Sequence, residues 1–335
     1  MTSSYPHETR LDLEAVLLAA QRLQGIATRT PLLESPEINA ATGARVLFKP
    51  EVLQRTGSFK FRGAYNRLSA LTDEERARGV VCYSSGNHGR GVAAAARLLG
   101  IDAVVALPAD APLKKVRGVE SEGARVITYD RNTDRELAVK PLIDAGRLMI
   151  HPYEDPLVIA GQGTVGLEIA AQAAELGVDI DVAIAPCGGG GLTSGIVVAM
   201  QGGSPGTRFW AAEPEGFDDT RRSFQAGVRQ GNPSVRKTIC DAIMTPEPGV
   251  LSFEINRVSH TGVAVVSDAE TMAAMGMAAD TLKIVVEPGG AVGLAALLSG
   301  KLDIAGRTVA CVLSGGNVDL SQYADILAGT NASKP

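Results

Sequence analysis

The sequence has little of what a disulfide scaffold, a metal centre or a nucleic-acid binder needs. Its four cysteines, Cys82, Cys187, Cys240 and Cys311, are far apart and form no C-x-x-C pair. That spacing argues against a disulfide framework or a zinc ribbon and fits buried, reduced thiols. Histidine is scarce, and no H-E-x-x-H, P-loop G-K-[ST] or G-x-S-x-G elbow occurs, which removes the commonest hydrolase signatures. Positive charge is not in excess: 32 Lys and Arg stand against 37 Asp and Glu, a net charge of −5. No basic field exists to hold nucleic acid or an anionic membrane. The opening "MTSSYPHETR" has no basic region followed by an apolar core, so no export signal is read. The least polar stretch, "VAIAPCGGGGLTSGIVVAM" at 182–200, carries five glycines and a proline. It reads as strand, loop and helix start instead of a membrane span. A soluble, cytoplasmic protein is expected.

What is present is a rhythm. At 335 residues, with 45% hydrophobic and 21% charged residues, the chain can fill two cores or one large α/β unit. β-rich runs alternate with Ala/Leu-rich helical runs, as in "GVVCYSS" then "GVAAAARLLG", and "DAVVALP" then "PLKKVRGVESEG". After "HPYEDP" the alternation resumes with "VAIAPCGGGG", "FWAAEPEG", "GVAVVSDAE" and "TVACVLSGG". Such alternation predicts βαβ construction and parallel sheets. Ligands in open α/β sheets sit at the carboxyl ends of strands, so the loops that follow these strands are the places to look.

Four loops and one lysine stand out. In "TGSFKFRG" (56–63), Lys60 lies between Phe59 and Phe61, which is awkward for a solvated charge. "YSSGNHGR" (83–90) is a plain turn on its own, or an anion cradle made by Ser84, Ser85, Asn87 and backbone N–H groups at a helix start. "PCGGGGLTSG" (186–195) puts four glycines before a helix, where backbone N–H groups close around a phosphate. A dinucleotide fingerprint fails there because its third glycine position falls on Thr193 or Ser194. In "VACVLSGGNVD", Ser314 either caps a loop or donates its hydroxyl to a ring nitrogen. In "AAEPEGFDD", Glu213 and Asp219 are a solvated acidic turn or, with a carbonyl between them, oxygen ligands for a hard cation. His7, His151 and His260 show no obvious partners, so surface or core packing is expected of them.

The order of these motifs is more telling than any one of them. Ser-Phe-Lys-x-Arg-Gly, Ser-Ser-Gly-Asn-His, a four-glycine loop and Ser-Gly-Gly-Asn follow one another, with "HPYEDPLVIAGQGTVGLEI" and "EPGGAVGLAAL" between. From "TPLLESP" to "SGGNVDL" the chain resembles the serine/threonine dehydratase and serine racemase family, pyridoxal-phosphate (PLP) enzymes of the tryptophan-synthase-β fold type II. The resemblance implies two open, twisted, mainly parallel sheets flanked by helices. It implies a large PLP-binding domain (1–66 and 153–335) and a smaller mobile domain (67–152) that closes over the substrate. Family members are commonly dimers, so a homodimer is expected.

The resemblance also implies roles. Lys60 would bond to the cofactor and move the α-proton, with Ser85 opposite it as the second catalytic group. Desolvation by Phe59 and Phe61 would free the lysine lone pair, and Gly57 and Gly63 would let backbone approach the ring. Phe59, Asn87, Gly188, Gly189, Gly190, Gly191, Leu192, Glu287 and Ser314 would hold the cofactor. Ser84, Ser85, Gly86, Asn87, His88, Arg135 and Thr245 would bind the amino acid substrate. Glu213, the Phe217 carbonyl and Asp219 would bind Mg²⁺ or Ca²⁺. The implied reaction is α,β-elimination from L-threonine or L-serine to a 2-oxo acid and ammonia, because a hydroxyl such as Ser314 leaves the ring nearly neutral and favours prompt loss of the β-substituent. Serine racemase, 3-hydroxyaspartate dehydratase and a hydroxyectoine-utilisation dehydratase are the alternatives within the family; a non-catalytic cofactor or nucleotide module is the alternative outside enzymes. Two departures bear on the substrate. Asp241-Ala242 stands where the family often has Asp-Gly, and Asp134 precedes Arg135 where relatives carry a serine.

Overall fold

The computed structural model describes residues 10–84, 86–111, 113–130, 135–232 and 237–332. Ten strands are described: β1 Leu33–Glu34, β2 Arg45–Pro50, β3 Val80–Tyr83, β4 Ala103–Pro108, β5 Arg125–Tyr129, β6 Leu148–Met149, β7 Val182–Pro186, β8 Arg208–Pro214, β9 His260–Val266 and β10 Thr308–Leu313. They form two sheets, one ordered β1-β2-β10-β7-β8-β9 and one ordered β5-β4-β3-β6. Every pairing is parallel except β1 with β2. The mainly parallel α/β fold expected from the alternation is the fold observed.

Parallel strands covered by helices on both faces need apolar residues at every position, not at alternate ones. "VACVL" in β10 and "VAIAP" in β7 meet that need, being buried almost throughout. At the centre of the larger sheet Cys311 lies opposite Phe48 on one side and Ile184 on the other. All four cysteines are buried and unpaired with each other.

The helix Pro156–Glu175 is the axle of the molecule. Asp155 starts it by accepting from the backbone N–H groups of Leu157 (2.9 Å) and Val158 (3.3 Å), with proline at the first helical position where its missing N–H costs nothing. By length and composition it is apolar enough to cross a membrane, but 67% of its most apolar window is inside the protein. It is a core helix. A Cβ on Gly161 would come within 2.6 Å of the Arg62 carbonyl, and one on Gly195 within 2.7 Å of the Gly163 nitrogen. Glycine therefore lets the helix Lys60–Ser69 and the helix Gly191–Gln201 touch the axle backbone to backbone. The 182–200 stretch forms β7, the glycine turn and that second helix, as read from its glycines.

Candidate active site

Three loops leave the carboxyl ends of parallel strands near the Lys60 segment: one into residues 86–88 after β3, 187–191 after β7, which packs on Tyr153 next to the Lys60 acceptor Pro152, and 314–317 after β10. Lys60 opens its helix after a tight lead-in in which Thr56 (φ 62°) and Gly57 (φ 73°) are both left-handed. The lead-in is stitched to the loop after β10: Phe59 N–H donates to the Ser314 carbonyl (3.1 Å) and Gly316 N–H to the Gly57 carbonyl (2.9 Å). The Lys60 amine donates to the Pro152 carbonyl at 2.8 Å and lies 5.1 Å from the Phe59 ring centre. Burial first, and then the Arg135 charge, lower its pKa from 10.5 to about 7, so a lone pair is available near neutrality.

Two expectations about this segment need correction. Phe61 does not flank the amine; it faces the core against Tyr65, at 5.8 Å between ring centres. Of the two rings, it is Phe59 that lies against the Lys60 amine, while Phe61 joins the core with Leu68 and Val80. Gly57 and Gly63 do not make room for a ring either. A Cβ on Gly57 would strike the Asn317 amide at 2.7 Å and one on Gly63 the Val158 carbonyl at 2.6 Å.

The β3 loop is held from inside. The Ser84 hydroxyl accepts from the backbone N–H groups of Gly86 (2.9 Å) and Gly89 (2.8 Å), which shapes the start of the helix Asn87–Leu99. The His88 Nε2 lies 2.8 Å from the Ile150 carbonyl, and burial drops this ring's pKa to about 3. His88 is therefore a neutral donor that anchors the loop. First-turn backbone N–H groups have no partner within a helix, which leaves those of Asn87 and His88 for an anion. Ser85 lies outside the described residues. The Asn87 amide donates to Glu287 (2.5 Å) and accepts from Asn317 (2.7 Å). Burial raises the Glu287 carboxyl to about 7.

In the β7 loop Gly190 is left-handed at φ 90°, a conformation that turns the chain into the helix Gly191–Gln201. A Cβ on Gly189 would fall 2.3 Å from the Tyr153 ring, so this loop tolerates no side chain there. Thr245 borders Gly188, and its hydroxyl is buried with no partner among the described residues. Ser314 is nearly buried at the end of β10.

Arg135 is placed by aromatic residues. Its guanidinium stacks 4.5 Å from the Tyr83 ring centre and donates to the Tyr153 hydroxyl at 2.9 Å. Asp134, expected to compete for that charge, lies outside the described residues. His151, expected to be plain packing, belongs to this cluster. Its Nδ1 accepts from the backbone N–H groups of Glu154 (2.9 Å) and Tyr153 (3.3 Å). Burial holds it neutral, at about 3, so its single proton is on Nε2 and is donated to the Tyr83 hydroxyl at 2.7 Å. Tyr83, Tyr153 and Asn317 were given no role from sequence, although each lies inside a quoted motif: "YSSGNHGR", "HPYEDP" and Ser-Gly-Gly-Asn.

The family model for "Pyridoxal-phosphate dependent enzyme" matches residues 23–315. The chain belongs to these PLP enzymes, among the ammonia-lyases. It is 43% identical to L-threo-3-hydroxyaspartate ammonia-lyase of Pseudomonas sp. over 94% of this chain and 98% of the relative. It is 39% identical to L-threonine ammonia-lyase of Thermotoga maritima over 95% of this chain and 78% of that one. The structure of maize serine racemase superposes with a TM-score of 0.88 at 38% identity, covering 96% of this chain and 98% of that one. Fold type II follows.

The residues present fit PLP. A buried amine of lowered pKa lies on Pro152, the neighbouring Tyr153 packs on a glycine loop at a helix start, and beside that loop the buried Thr245 hydroxyl has no partner among the described residues. The second expected site is less complete. The Glu213 oxygens accept from the backbone N–H groups of Thr220 (2.9 Å) and Arg221 (3.0 Å). Asp219 accepts from Asn232 (2.5 Å) through one oxygen while the other is buried and unpartnered. Burial raises both carboxyls, and Asp219 pushes Glu213 further. No group of three His, Cys, Asp or Glu suited to a metal occurs among the described residues.

Proposed function

We propose that this PLP enzyme dehydrates L-β-hydroxy amino acids, releasing a 2-oxo acid and ammonia, and that a substrate bearing a side-chain carboxylate, L-threo-3-hydroxyaspartate, is preferred over L-threonine and L-serine. The observation that carries the preference is the Arg135 guanidinium, half-buried beside Lys60 and hydrogen-bonded, among the described residues, only to the neutral Tyr153 hydroxyl. A half-buried cation with a neutral partner favours an incoming anion. The name of the Pseudomonas relative agrees. The resemblance alone put threonine and serine first; the placement of Arg135 is the reason 3-hydroxyaspartate is put ahead of them in this proposal.

PLP, when bound, withdraws electron density from the substrate α-carbon and so acidifies its proton. The Lys60 amine, neutral above about pH 7, accepts that proton. Backbone N–H groups at Asn87 and His88 receive the α-carboxylate, and Arg135 with Tyr153 receives the side-chain carboxylate. The Ser314 hydroxyl would offer the ring nitrogen a neutral hydrogen bond, and a nearly neutral ring favours elimination over racemisation. Residues 67–152 act as a unit that closes against 1–66 and 153–335. That division is supported by the sheets, since β3 to β6 all fall within 67–152 and every strand of the larger sheet falls outside it; Lys115 with Asp241, Arg90 with Asn317 (3.1 Å) and Asn87 with Glu287 (2.5 Å) are the contacts that join the two parts.

The test is a panel of the three amino acids with 2-oxo acid and ammonia detection, alongside chiral analysis of the remaining amino acid. The expected result is the highest kcat/KM for 3-hydroxyaspartate, with Arg135→Gln lowering that value about a hundredfold and serine turnover only a few-fold. Equal losses on all three substrates would make Arg135 a structural residue. A D-isomer appearing faster than 2-oxo acid would make the enzyme a racemase.

For the acidic pair we propose a structural Mg²⁺ or Ca²⁺ held by Glu213, Phe217 and Asp219, since hard cations select oxygen and would remove the repulsion between the two buried carboxylates. Chelation should lower the melting temperature without changing the identity of the product. An unchanged melting curve would leave the pair without a metal.

A further inference from the structure

Three glutamines are buried among the described residues: Gln54, Gln162 and Gln172. Two of them are fully used. The Gln54 oxygen accepts from Thr28 and Arg55 N–H and its nitrogen donates to the Thr28 carbonyl. Gln172, one face of the axle helix away, accepts from Lys49 and donates to the Thr30 carbonyl. Gln162 differs. It is 0% exposed, yet neither its nitrogen nor its oxygen has a partner among the described residues. An amide shut away from water with both ends unpaired is strongly disfavoured, so its position points to something outside the protein's own hydrogen bonds.

Where that amide lies is informative. Its stem passes Gly63 of the Lys60 helix, where an added Cβ would come within 3.1 Å of Gln162 Cγ. Its tip reaches Gly191, the first residue of the helix that follows the glycine loop, where an added Cβ would come within 2.7 Å of the amide oxygen. The side chain thus spans from the helix of the covalent lysine to the helix start that is read as the phosphate cradle. Glycine at both 63 and 191 is what leaves room for it.

We propose that Gln162 is a further ligand of the cofactor, its side-chain NH₂ donating to the phosphate from behind the Gly188–Leu192 loop. A phosphate monoester offers only acceptor oxygens, and an amide supplies two donors once its two ends are oriented to suit. The arrangement adds a neutral donor to the partial positive charge of the helix start. It also ties the cradle to the Lys60 helix, so the anchor for the cofactor's anionic end and the anchor for its aldehyde share one buried side chain. This rests on reading the glycine loop as the phosphate site.

The experiment compares apo-protein of wild type and Gln162→Met, which keeps the length and loses the donors. PLP, pyridoxal without its phosphate, and inorganic phosphate are the probes, read by absorbance titration for the first two and by melting temperature for the third. The expected result is a PLP Kd about tenfold or more weaker in Q162M. The melting-temperature gain from inorganic phosphate should disappear, pyridoxal binding should be unchanged, and the apo-protein should be at least as stable as wild type. PLP and phosphate binding equal to wild type would overturn the proposal, as would parallel losses for PLP and pyridoxal. Should Q162M fail to fold, Gln162→Leu carries the same comparison. If neither folds, the amide belongs to the scaffold and the proposal is wrong. Wild type that binds pyridoxal as tightly as PLP and gains nothing from phosphate would instead sink the reading of the glycine loop.

Discussion

An exposed lysine keeps its proton to about pH 10.4, whereas the Lys60 amine gives it up at about 7 because water is replaced by the Phe59 ring and by the Arg135 charge. The same perturbation has a thermodynamic consequence. Between about pH 7 and 10.5 the unfolded chain binds a proton that the folded chain does not, so this group's contribution to stability rises with pH over that window. Below about pH 7 the penalty for the buried charge is present in full. Lys60→Met should therefore stabilise the apo-protein most at around pH 6, with the gain shrinking steadily towards pH 10. Melting temperatures of the two apo-proteins across that range measure it. A gain that is flat with pH would mean that Lys60 titrates like an exposed amine.

At the scale of elements, the helix carrying Lys60 is fixed by charges that are out of sight in the sequence. Arg62 makes paired contacts to Glu51 (2.7 and 2.8 Å) and to Glu168 (2.6 and 3.0 Å), and Lys49 reaches the same Glu168 at 2.6 Å. All these groups are buried or nearly so, and every donor of Arg62 and Lys49 has an acceptor. Breaking such a cluster on one side leaves unpaired charge in the core. Arg62→Met should lose about 3–5 kcal/mol of stability in urea unfolding. An unchanged midpoint would show that the cluster is solvated. None of this could be read from spacing, since Lys49 and Glu168 lie 119 residues apart. The strands and glycine turns were legible because parallel burial forces continuous apolar runs and because tight turns force glycine. Lys60, Asn87 and the glycine loop were legible because each follows a strand or opens a helix. The aromatic placement of Arg135 was not. It depends on Tyr83, His151 and Tyr153 arriving from separate segments, and only the fold puts them together.

At the scale of the molecule, the strand ends of two sheets face one another, with Lys60 on the larger sheet's side and the β3 loop on the other. Each half alone is incomplete: one has the amine and the glycine loop, the other the helix start suited to a carboxylate. Family membership sets aside the non-catalytic alternative, and what remains is whether the chemistry runs through Lys60. Borohydride reduction of the PLP-loaded protein, followed by peptide mapping, answers that directly. We predict one pyridoxyl group per chain on the peptide containing Lys60, and none on the Lys60→Met protein. A pyridoxyl group on any other lysine, or an equal yield from Lys60→Met, would contradict the account.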